Sequence, residues 1–238
     1  MDWFEQLTRD GYAMLRGVFP PKDVAAALES CGAALASGDA SVLAGSSGPA
    51  YGARNLLRLW PDAMQLARTL AEPLVRVLGP TSGVVRGLYF DKPPGHSWAL
   101  PWHRDFNIAV KAHGVLGTFD KPTRKAGVPH VEAPTELLAT MLTARIHLDA
   151  MTPHNGPLRV VPRSHLTDAD HGDAVTLLCE AGDVLLMRPL LLHASGHTDP
   201  THPTHRRIVH LECAPSSALP DGYEWHDFVP LSPFPLGG

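Results

Sequence analysis

The 238-residue sequence predicts a mainly β protein, a sandwich or barrel of short strands with helices packed against it. Proline occurs 23 times, about twice its average share, and proline interrupts helices. Beyond residue 80, at least seven short β-branched or aromatic runs alternate with clusters of turn-forming residues. Helical signals are confined to the first third of the chain, so helices are expected only there.

Two helices are predicted in the N-terminal part. The Pro-Pro-Lys-Asp sequence at 20–23 suits the start of a helix that runs to Ala36. A second helix begins near Pro61 and carries apolar residues at helical spacing. Because Pro73 lies inside this second helix, we expect it to be kinked or split.

The predicted strands follow one another through the rest of the chain. They are Val84 to Phe90, Met141 to Leu148, Leu158 to Val161, Val175 to Cys179, Val184 to Met187, Leu190 to His193 and Ile208 to Cys213. The stretch from Lys111 to Pro134 has weak periodicity and is expected to be an irregular insertion that carries function. Neither a repeat nor a linker interrupts the pattern, so residues 1–238 are expected to form one domain.

Composition and charge restrict the function. Lys and Arg total 20 against 24 Asp and Glu, without basic clusters, so nucleic acid is not an expected partner. No run of 18 apolar residues and no basic leader are present, so neither a membrane span nor export is expected. The three cysteines are odd in number and widely spaced, which predicts no disulfide framework or zinc-thiolate site and favours the cytoplasm.

Four histidines are followed two residues later by an aspartate. At a strand end, such a pair points to one face and can reach one metal ion. Three of these pairs are candidates, namely His103/Asp105, His171/Asp173 and His197/Asp199; the fourth is His147/Asp149. The spacing alone therefore does not choose among them.

The surrounding sequence favours His103 and Asp105. A facial triad needs a second histidine from another strand, and His193 ends an apolar run 90 residues after His103. From His171 the interval to His193 is only 22 residues, too short for the intervening sheet. Arg206 follows His193 by 13 residues and could bind a dicarboxylate cosubstrate that chelates the metal from its other end.

Several segments occur in a recognisable order over most of the chain. They are Asp10 to Phe19, Trp102 to Asp105, Ile146 to Asp149, Asn155 to His165, Pro189 to Ser195 and His205 to Glu212. Together they resemble the phytanoyl-CoA dioxygenase family, a branch of the iron(II)/2-oxoglutarate-dependent oxygenases. The segment at 155–165 is a specific marker. The chain departs from the family at Arg104, where a glutamine usually follows the first metal-binding histidine.

The resemblance implies a double-stranded β-helix, the jelly-roll or cupin-like barrel, with the N-terminal helices packed on one sheet. It implies Fe(II) bound by His103, Asp105 and His193, with three open cis positions that suit a bidentate 2-oxo acid and O2. The implied activity is a 2-oxoglutarate-dependent dioxygenase that hydroxylates a small organic substrate and releases succinate and CO2. Related halogenases carry a small residue in place of the carboxylate, so Asp105 disfavours chlorination.

Two adjacent arginines, Arg206 and Arg207, are candidates to bind the C5 carboxylate of 2-oxoglutarate. They point to opposite faces of one strand, so the faces are compared to choose between them. Arg206 shares its face with His210 and Glu212, a polar set that suits a barrel interior. Arg207 shares its face with apolar residues that suit packing under helices. The family register also favours Arg206, and Ser195 is expected to place its hydroxyl beside the same carboxylate.

Other polar and aromatic residues have two interpretations each. Lys92, Arg86 and Arg188 could bind an anionic group, although the surface is the default position for such residues. The strand around Arg145 and His147 could add a polar group. Five aromatic residues flank the predicted ligands, and about half of them are expected in the core rather than in a pocket; they are Tyr89, Phe90, Trp98, Trp102 and Phe106. The histidines at 197–205 suit a solvated loop better than a second metal site.

Two alternative functions stay open on the sequence. A cupin-like hydrolase or isomerase with zinc or manganese would share the barrel and the histidines, but would not need Arg206. A non-catalytic metal-dependent binder of small molecules would keep the site without turnover. No motif identifies the substrate or the oligomeric state.

Overall fold

The computed structural model describes residues 2–45, 49–94, 97–114, 117–169 and 171–231. The helices are α1 (Trp3–Asp10), α2 (Pro21–Leu35), α3 (Leu56–Leu59), α4 (Ala63–Thr69), α5 (Ala71–Leu78) and α6 (Thr135–Thr140). The first strands are β1 (Tyr12–Leu15), β2 (Val42–Ala44), β3 (Ala50–Ala53), β4 (Gly83–Phe90), β5 (Leu100–His103), β6 (Asn107–Ala109), β7 (Asp120–Lys125) and β8 (Val128–Glu132). The others are β9 (Leu142–His147), β10 (Leu158–Val160), β11 (Val175–Thr176), β12 (Val184–Met187), β13 (His193–Ser195), β14 (Ile208–Ala214) and β15 (Val229–Pro230).

The strands form a double-stranded β-helix, as predicted. The larger sheet has the order β1-β12-β9-β14-β4-β3-β2, with β15 paired to β4, and the smaller sheet has the order β11-β10-β13-β5. Within the smaller sheet β13 pairs antiparallel with β5, and this register places His193 opposite His103. The fold thus joins two histidines that are 90 residues apart in sequence.

The N-terminal helices cover one face of the larger sheet, as predicted. Val24 of α2 and Leu74 of α5 belong to the same buried apolar cluster as Val209, Leu211 and Cys213 of β14. These three β14 residues alternate along the strand, so they share one face. The opposite face of β14 is therefore left to line the interior of the barrel.

The two predicted N-terminal helices are present as α2 and as the pair α4 and α5. The second helix is split at Leu70, and Pro73 lies in the first turn of α5, where its missing N–H would lack a helical partner in any case. The prediction that helices are confined to the first third is wrong, because α6 follows Pro134. Among the described residues, no helix is both long enough and apolar enough to cross a bilayer.

Within the segment from Lys111 to Pro134, predicted to be an irregular insertion, residues 120–132 form two strands, so the prediction is wrong for that part. The described residues before Asp120 are irregular, and residues 115–116 lie outside the described part. Strands β7 and β8 form a hairpin, and β6 pairs with β8. The turn between them consists of Ala126 and Gly127, both with positive φ (47° and 79°), as a two-residue type I′ turn requires. Polar, mostly exposed residues in β7 hide the alternation that marks a half-buried strand.

The predicted strand from Leu190 to His193 is also wrong, since β13 only begins at His193. Leu190 and Leu191 are buried in two different apolar clusters, in the turn that follows Pro189. These residues are apolar because they are buried, and not because they form a strand. A short apolar run alone does not distinguish a strand from another buried segment.

Candidate active site

Three side chains converge where β5 and β13 pair. His103 ends β5, Asp105 follows it, and His193 begins β13. Their ligand atoms lie within 4.8 Å of one another. The Asp105 carboxylate is 3.8 Å from His103 Nε2 and 3.7 Å from His193 Nε2, distances beyond hydrogen bonding. The backbone N–H of Asp105 donates to Pro189 O (2.9 Å), which fixes the carboxylate-bearing residue against the neighbouring turn.

Backbone carbonyls orient both imidazole rings. Nδ1 of His103 lies 2.7 Å from Pro101 O, and Nδ1 of His193 lies 2.8 Å from Leu191 O. Because a carbonyl only accepts, each Nδ1 carries the proton and each Nε2 presents its lone pair to the cluster. Asp105 Oδ2 is buried and has no hydrogen-bond partner in the described part of the chain. Two nitrogen lone pairs and an orphaned carboxylate oxygen form a donor set that fits a divalent metal ion.

The ionisation states also suit a metal ligand set. Burial acts to raise the pKa of Asp105, but the electrostatic effect of the neighbouring side chains, His193 first, outweighs burial and lowers that pKa below its ordinary value. Burial lowers the pKa of His193 to about 4, so its ring is neutral at neutral pH. An ionised carboxylate and a neutral imidazole are the forms in which these residues bind metals.

A small enclosed cavity beside the two histidines is lined by Ser195, Arg145 and Arg206. Lys92, Arg145 and Arg206 are buried, and in the described part of the chain none of the three has a carboxylate within ion-pairing distance. Burial, followed by the charge of Arg145, lowers the pKa of Arg206 to about 9. Burial, followed by the charges of Arg206 and Arg145, lowers the pKa of Lys92 to about 7. Buried positive charge without a counterion is costly, so this slot favours an anion.

Lys92 is buried, so its expected surface position is wrong. Its ammonium group donates to Ser195 Oγ (3.1 Å) and to Gly196 O (2.5 Å), and lies 4.7 Å from the centre of the Trp98 ring. Because the ammonium group donates to Oγ, the hydroxyl proton of Ser195 is free to be donated to another acceptor. Lys92 therefore orients the hydroxyl predicted to meet the cosubstrate.

A larger cavity of about 320 Å³ opens in front of the three ligands. Of the five aromatic residues, Phe90, Trp98 and Phe106 line it. Tyr89 instead packs in the core beneath the helices, and Trp102 is 39% exposed. The volume falls within the range of small-molecule sites.

The two adjacent arginines diverge as the strand alternation predicts. Arg206 is buried beside the slot, whereas Arg207 donates to both oxygens of Asp149 (2.7 and 2.8 Å). The Arg207 backbone N–H also donates to Asp149 Oδ2 (2.8 Å), so this contact fixes the register at the start of β14. Of these two arginines, Arg206 is therefore the one that faces the slot beside the histidines.

Backbone carbonyls hold several of the other polar side chains. Arg188 donates to Met141 O (3.1 Å), and the guanidinium of Arg104 donates to backbone carbonyls that include Leu190 O (3.0 Å). His147 is buried, and Nδ1 lies 3.3 Å from Asp183 O. These contacts are structural, and Arg104 fixes the segment that carries His103.

The remaining His/Asp pairs do not join the three ligands. Residues 171 and 173 lie on the exposed surface. Asp199 forms a second group with His154 and His202, with ligand atoms within 4.8 Å, but both histidine side chains are about half exposed. This group lies on the predicted solvated loop and the loop beside it.

A double-stranded β-helix with two histidines, one carboxylate and a cationic slot defines the class of iron- and 2-oxoglutarate-dependent oxygenases. The chain belongs to the phytanoyl-CoA dioxygenase family, whose family model matches residues 7–207. This family uses Fe(II), 2-oxoglutarate and O2, so these cofactors, predicted from the sequence, are confirmed.

Several solved structures share this fold. EctD from S. alaskensis with bound Fe is 22% identical, with a TM-score of 0.67, over 88% of this chain and 74% of that chain. AviO1 from Streptomyces viridochromogenes Tue57 is 24% identical, with a TM-score of 0.66, over 92% and 96%. The alpha ketoglutarate dependent epimerase SnoN from nogalamycin biosynthesis is 19% identical, with a TM-score of 0.65, over 90% and 80%. No curated protein matches the chain by sequence.

Two cationic residues of the larger cavity escaped sequence reasoning. Arg54 follows β3 and Lys125 ends β7, so 71 residues separate them in the chain. No spacing rule links such positions. The turn that carries this lysine into the hairpin has no strong signal either, because Ala126-Gly127 is not one of the residue pairs typical of a type I′ turn.

Proposed function

We propose that this protein hydroxylates a small organic molecule, with Fe(II) bound by His103, Asp105 and His193. In this proposal Arg206 binds the C5 carboxylate of 2-oxoglutarate, and Ser195 donates its hydroxyl proton to the same group. When bound, Fe(II) supplies the activation of O2 coupled to the conversion of 2-oxoglutarate into succinate and CO2.

The single observation that carries the proposal is the combination of an orphaned Asp105 oxygen with an unpaired cationic slot beside it. A metal ion would coordinate the orphaned Asp105 oxygen, and a dicarboxylate would pair with the cations of the slot. A cupin-like hydrolase or isomerase would use the three ligands but would leave Arg206 and Lys92 buried without a counterion.

The residues around the ligands perform positioning and shielding. Lys92 orients Ser195 through its hydrogen bond to Oγ. Phe90, Trp98 and Phe106 form an apolar wall that limits water near the metal, which protects a reactive centre from side reactions. Arg86 donates to Glu212 Oε1 (3.0 Å), so this carboxylate is neutralised and does not compete for the metal.

The test is aerobic incubation with Fe(II) and 2-oxoglutarate, with a panel of small molecules and with ¹⁸O₂. We expect succinate to form only when all three cofactors are present, and one ¹⁸O atom to appear in the organic product. Product formation that persists without 2-oxoglutarate would favour the cupin-like alternative. Binding of metal and 2-oxoglutarate without turnover of any compound would favour a non-catalytic binder.

A further inference from the structure

The larger cavity in front of the ligands carries an excess of positive charge. Its lining contains five cationic side chains and two carboxylates, namely Arg54, Arg86, Arg104, Lys125, Arg145, Asp105 and Glu212. Glu212 is paired with Arg86 at 3.0 Å, and Asp105 belongs to the proposed metal site. Neither carboxylate is therefore available to neutralise the remaining cations.

Arg54 and Lys125 are the two cations of this cavity whose side chains have no hydrogen bond or ion pair within the described residues. Both are half-buried. Burial, followed by the charge of Arg86, lowers the pKa of each below its ordinary value. Two repelling cations that are partly withdrawn from water are stabilised by a shared anion.

The backbone holds these two cations together. Asn55, the neighbour of Arg54, donates from Nδ2 to the carbonyl oxygen of Ala126 (3.2 Å), the neighbour of Lys125. Nδ2 of Asn55 also donates to Ser41 Oγ (3.1 Å), so two hydrogen bonds fix the amide. The hydrogen bond between Asn55 and Ala126 thus ties the hairpin to the end of β3 and keeps both charges at one side of the cavity.

We propose that Arg54 and Lys125 form an oxyanion subsite, so that the substrate is a small carboxylic acid or phosphate ester. The assignment rests on the proposed function, because it places this acidic group in the cavity that opens onto the metal ligands. Among the polar lining residues, this cavity shares His103, His193 and Arg145 with the slot for 2-oxoglutarate. Arg206 and Ser195 line only the slot, so substrate and cosubstrate have separate anion sites.

Because the substrate is unidentified, the probes are inorganic phosphate and acetate, titrated by calorimetry. Titrations are run with metal-free protein and with protein loaded with Mn(II) and saturating 2-oxoglutarate, which occupies the slot at Arg206. We expect wild-type protein to bind at least one probe under both conditions. The probe that binds more tightly, phosphate or acetate, indicates whether the acidic group of the substrate is a phosphate or a carboxylate.

Arg54→Gln and Lys125→Gln should each weaken binding of that probe by about ten- to 100-fold, the usual range for one charge-assisted hydrogen bond. Arg54→Lys should retain most of the affinity. Arg124→Gln is the matched control, since Arg124 lies on the same hairpin, is exposed and donates to Gly127 O (2.8 Å). It should bind the probe as the wild type does.

The subsite is refuted if neither probe binds to the wild type, or if Arg54→Gln and Lys125→Gln bind as the wild type does. An equal loss in Arg124→Gln would also refute it, because loosening of the hairpin would then explain the result. A 2-oxoglutarate titration of the Mn(II)-loaded protein tests the proposed function separately. If 2-oxoglutarate does not bind in that titration, the proposed function is contradicted, but phosphate or acetate binding to metal-free protein still tests the subsite.

Discussion

Arg206→Gln should change stability and cosubstrate affinity in opposite directions. Burial and the charge of Arg145 lower the pKa of Arg206 from 12.5 to about 9, which corresponds to an unfavourable free energy on the order of 5 kcal/mol for the charged form. Glutamine removes the charge but leaves a buried amide, which itself costs free energy. We therefore expect the ligand-free variant to be more stable by about 1–3 kcal/mol.

The same substitution should weaken 2-oxoglutarate binding. Truncation of one partner of a buried charge pair costs about 2–5 kcal/mol. Since Lys92 and Arg145 stay in place, we expect the low end of that range, a rise of about 30-fold in Kd. The free energy of unfolding is measured by urea titration, and affinity by calorimetry on Mn(II)-loaded protein.

Arg207→Gln is the matched control. Arg207 is paired with Asp149 (2.7 Å), a partly exposed contact, so its loss should lower the free energy of unfolding by up to about 1 kcal/mol. Its affinity for 2-oxoglutarate should equal that of the wild type. Should Arg207→Gln lose affinity while Arg206→Gln retains it, the assignment of the C5 carboxylate is wrong.

Three further predictions concern the metal site, a buried lysine and the apolar core. Asp105→Ala should abolish Fe(II) binding and turnover, while Asp173→Ala, on the exposed surface, should retain both. An equal loss of metal binding in both variants, measured by metal titration, would contradict the choice of His103 and Asp105 over His171 and Asp173. Burial lowers the pKa of Lys92 to about 7, below its unfolded value of 10.5. Between these two pH values the unfolded chain binds more protons than the folded one. The free energy of unfolding should therefore rise with pH in this range, by a few kcal/mol at most. Lys92→Met should flatten that rise in urea titrations at pH 7 and 9.5, and an unchanged slope would contradict it. Leu211→Ala, beneath the helices, should lower the free energy of unfolding by about 2–5 kcal/mol without changing 2-oxoglutarate affinity.

The sequence predicted those features of the site that depend on local alternation. Asp105 lies two residues beyond His103, the end of β5, and Arg206 and Arg207 directly precede β14, so a strand period of two extended by these few residues predicts how their side chains diverge. The apolar run that His193 ends suggested its partnership with His103, and the family resemblance supported it, because pairing across a sheet has no local signal. The resemblance also supplied the jelly roll, since the strand runs alone were consistent with any sandwich or barrel.

Features that depend on distant partners could not be predicted. Lys92 is buried because Ser195 and Gly196, more than 100 residues away, accept its hydrogen bonds. Surface exposure is the correct expectation for a lysine until such acceptors are known. Arg54 and Lys125 meet only through the contact between Asn55 and Ala126, and β7 has the polar composition of a loop.

Strand β14 couples the stability of the fold to the function of the site. One face packs Val209 and Leu211 under the helices, and the other places His210 beside the metal ligands. Slippage of the strand by one residue would exchange the faces and bury polar groups in the apolar cluster. The bonds from the backbone and guanidinium of Arg207 to Asp149 oppose this slip at the start of the strand. The pairing of β14 with β4 and β9 sets the register that delivers Arg206 to the slot, and the Arg207 side chain only adds to it, which is why Arg207→Gln should keep its affinity for 2-oxoglutarate.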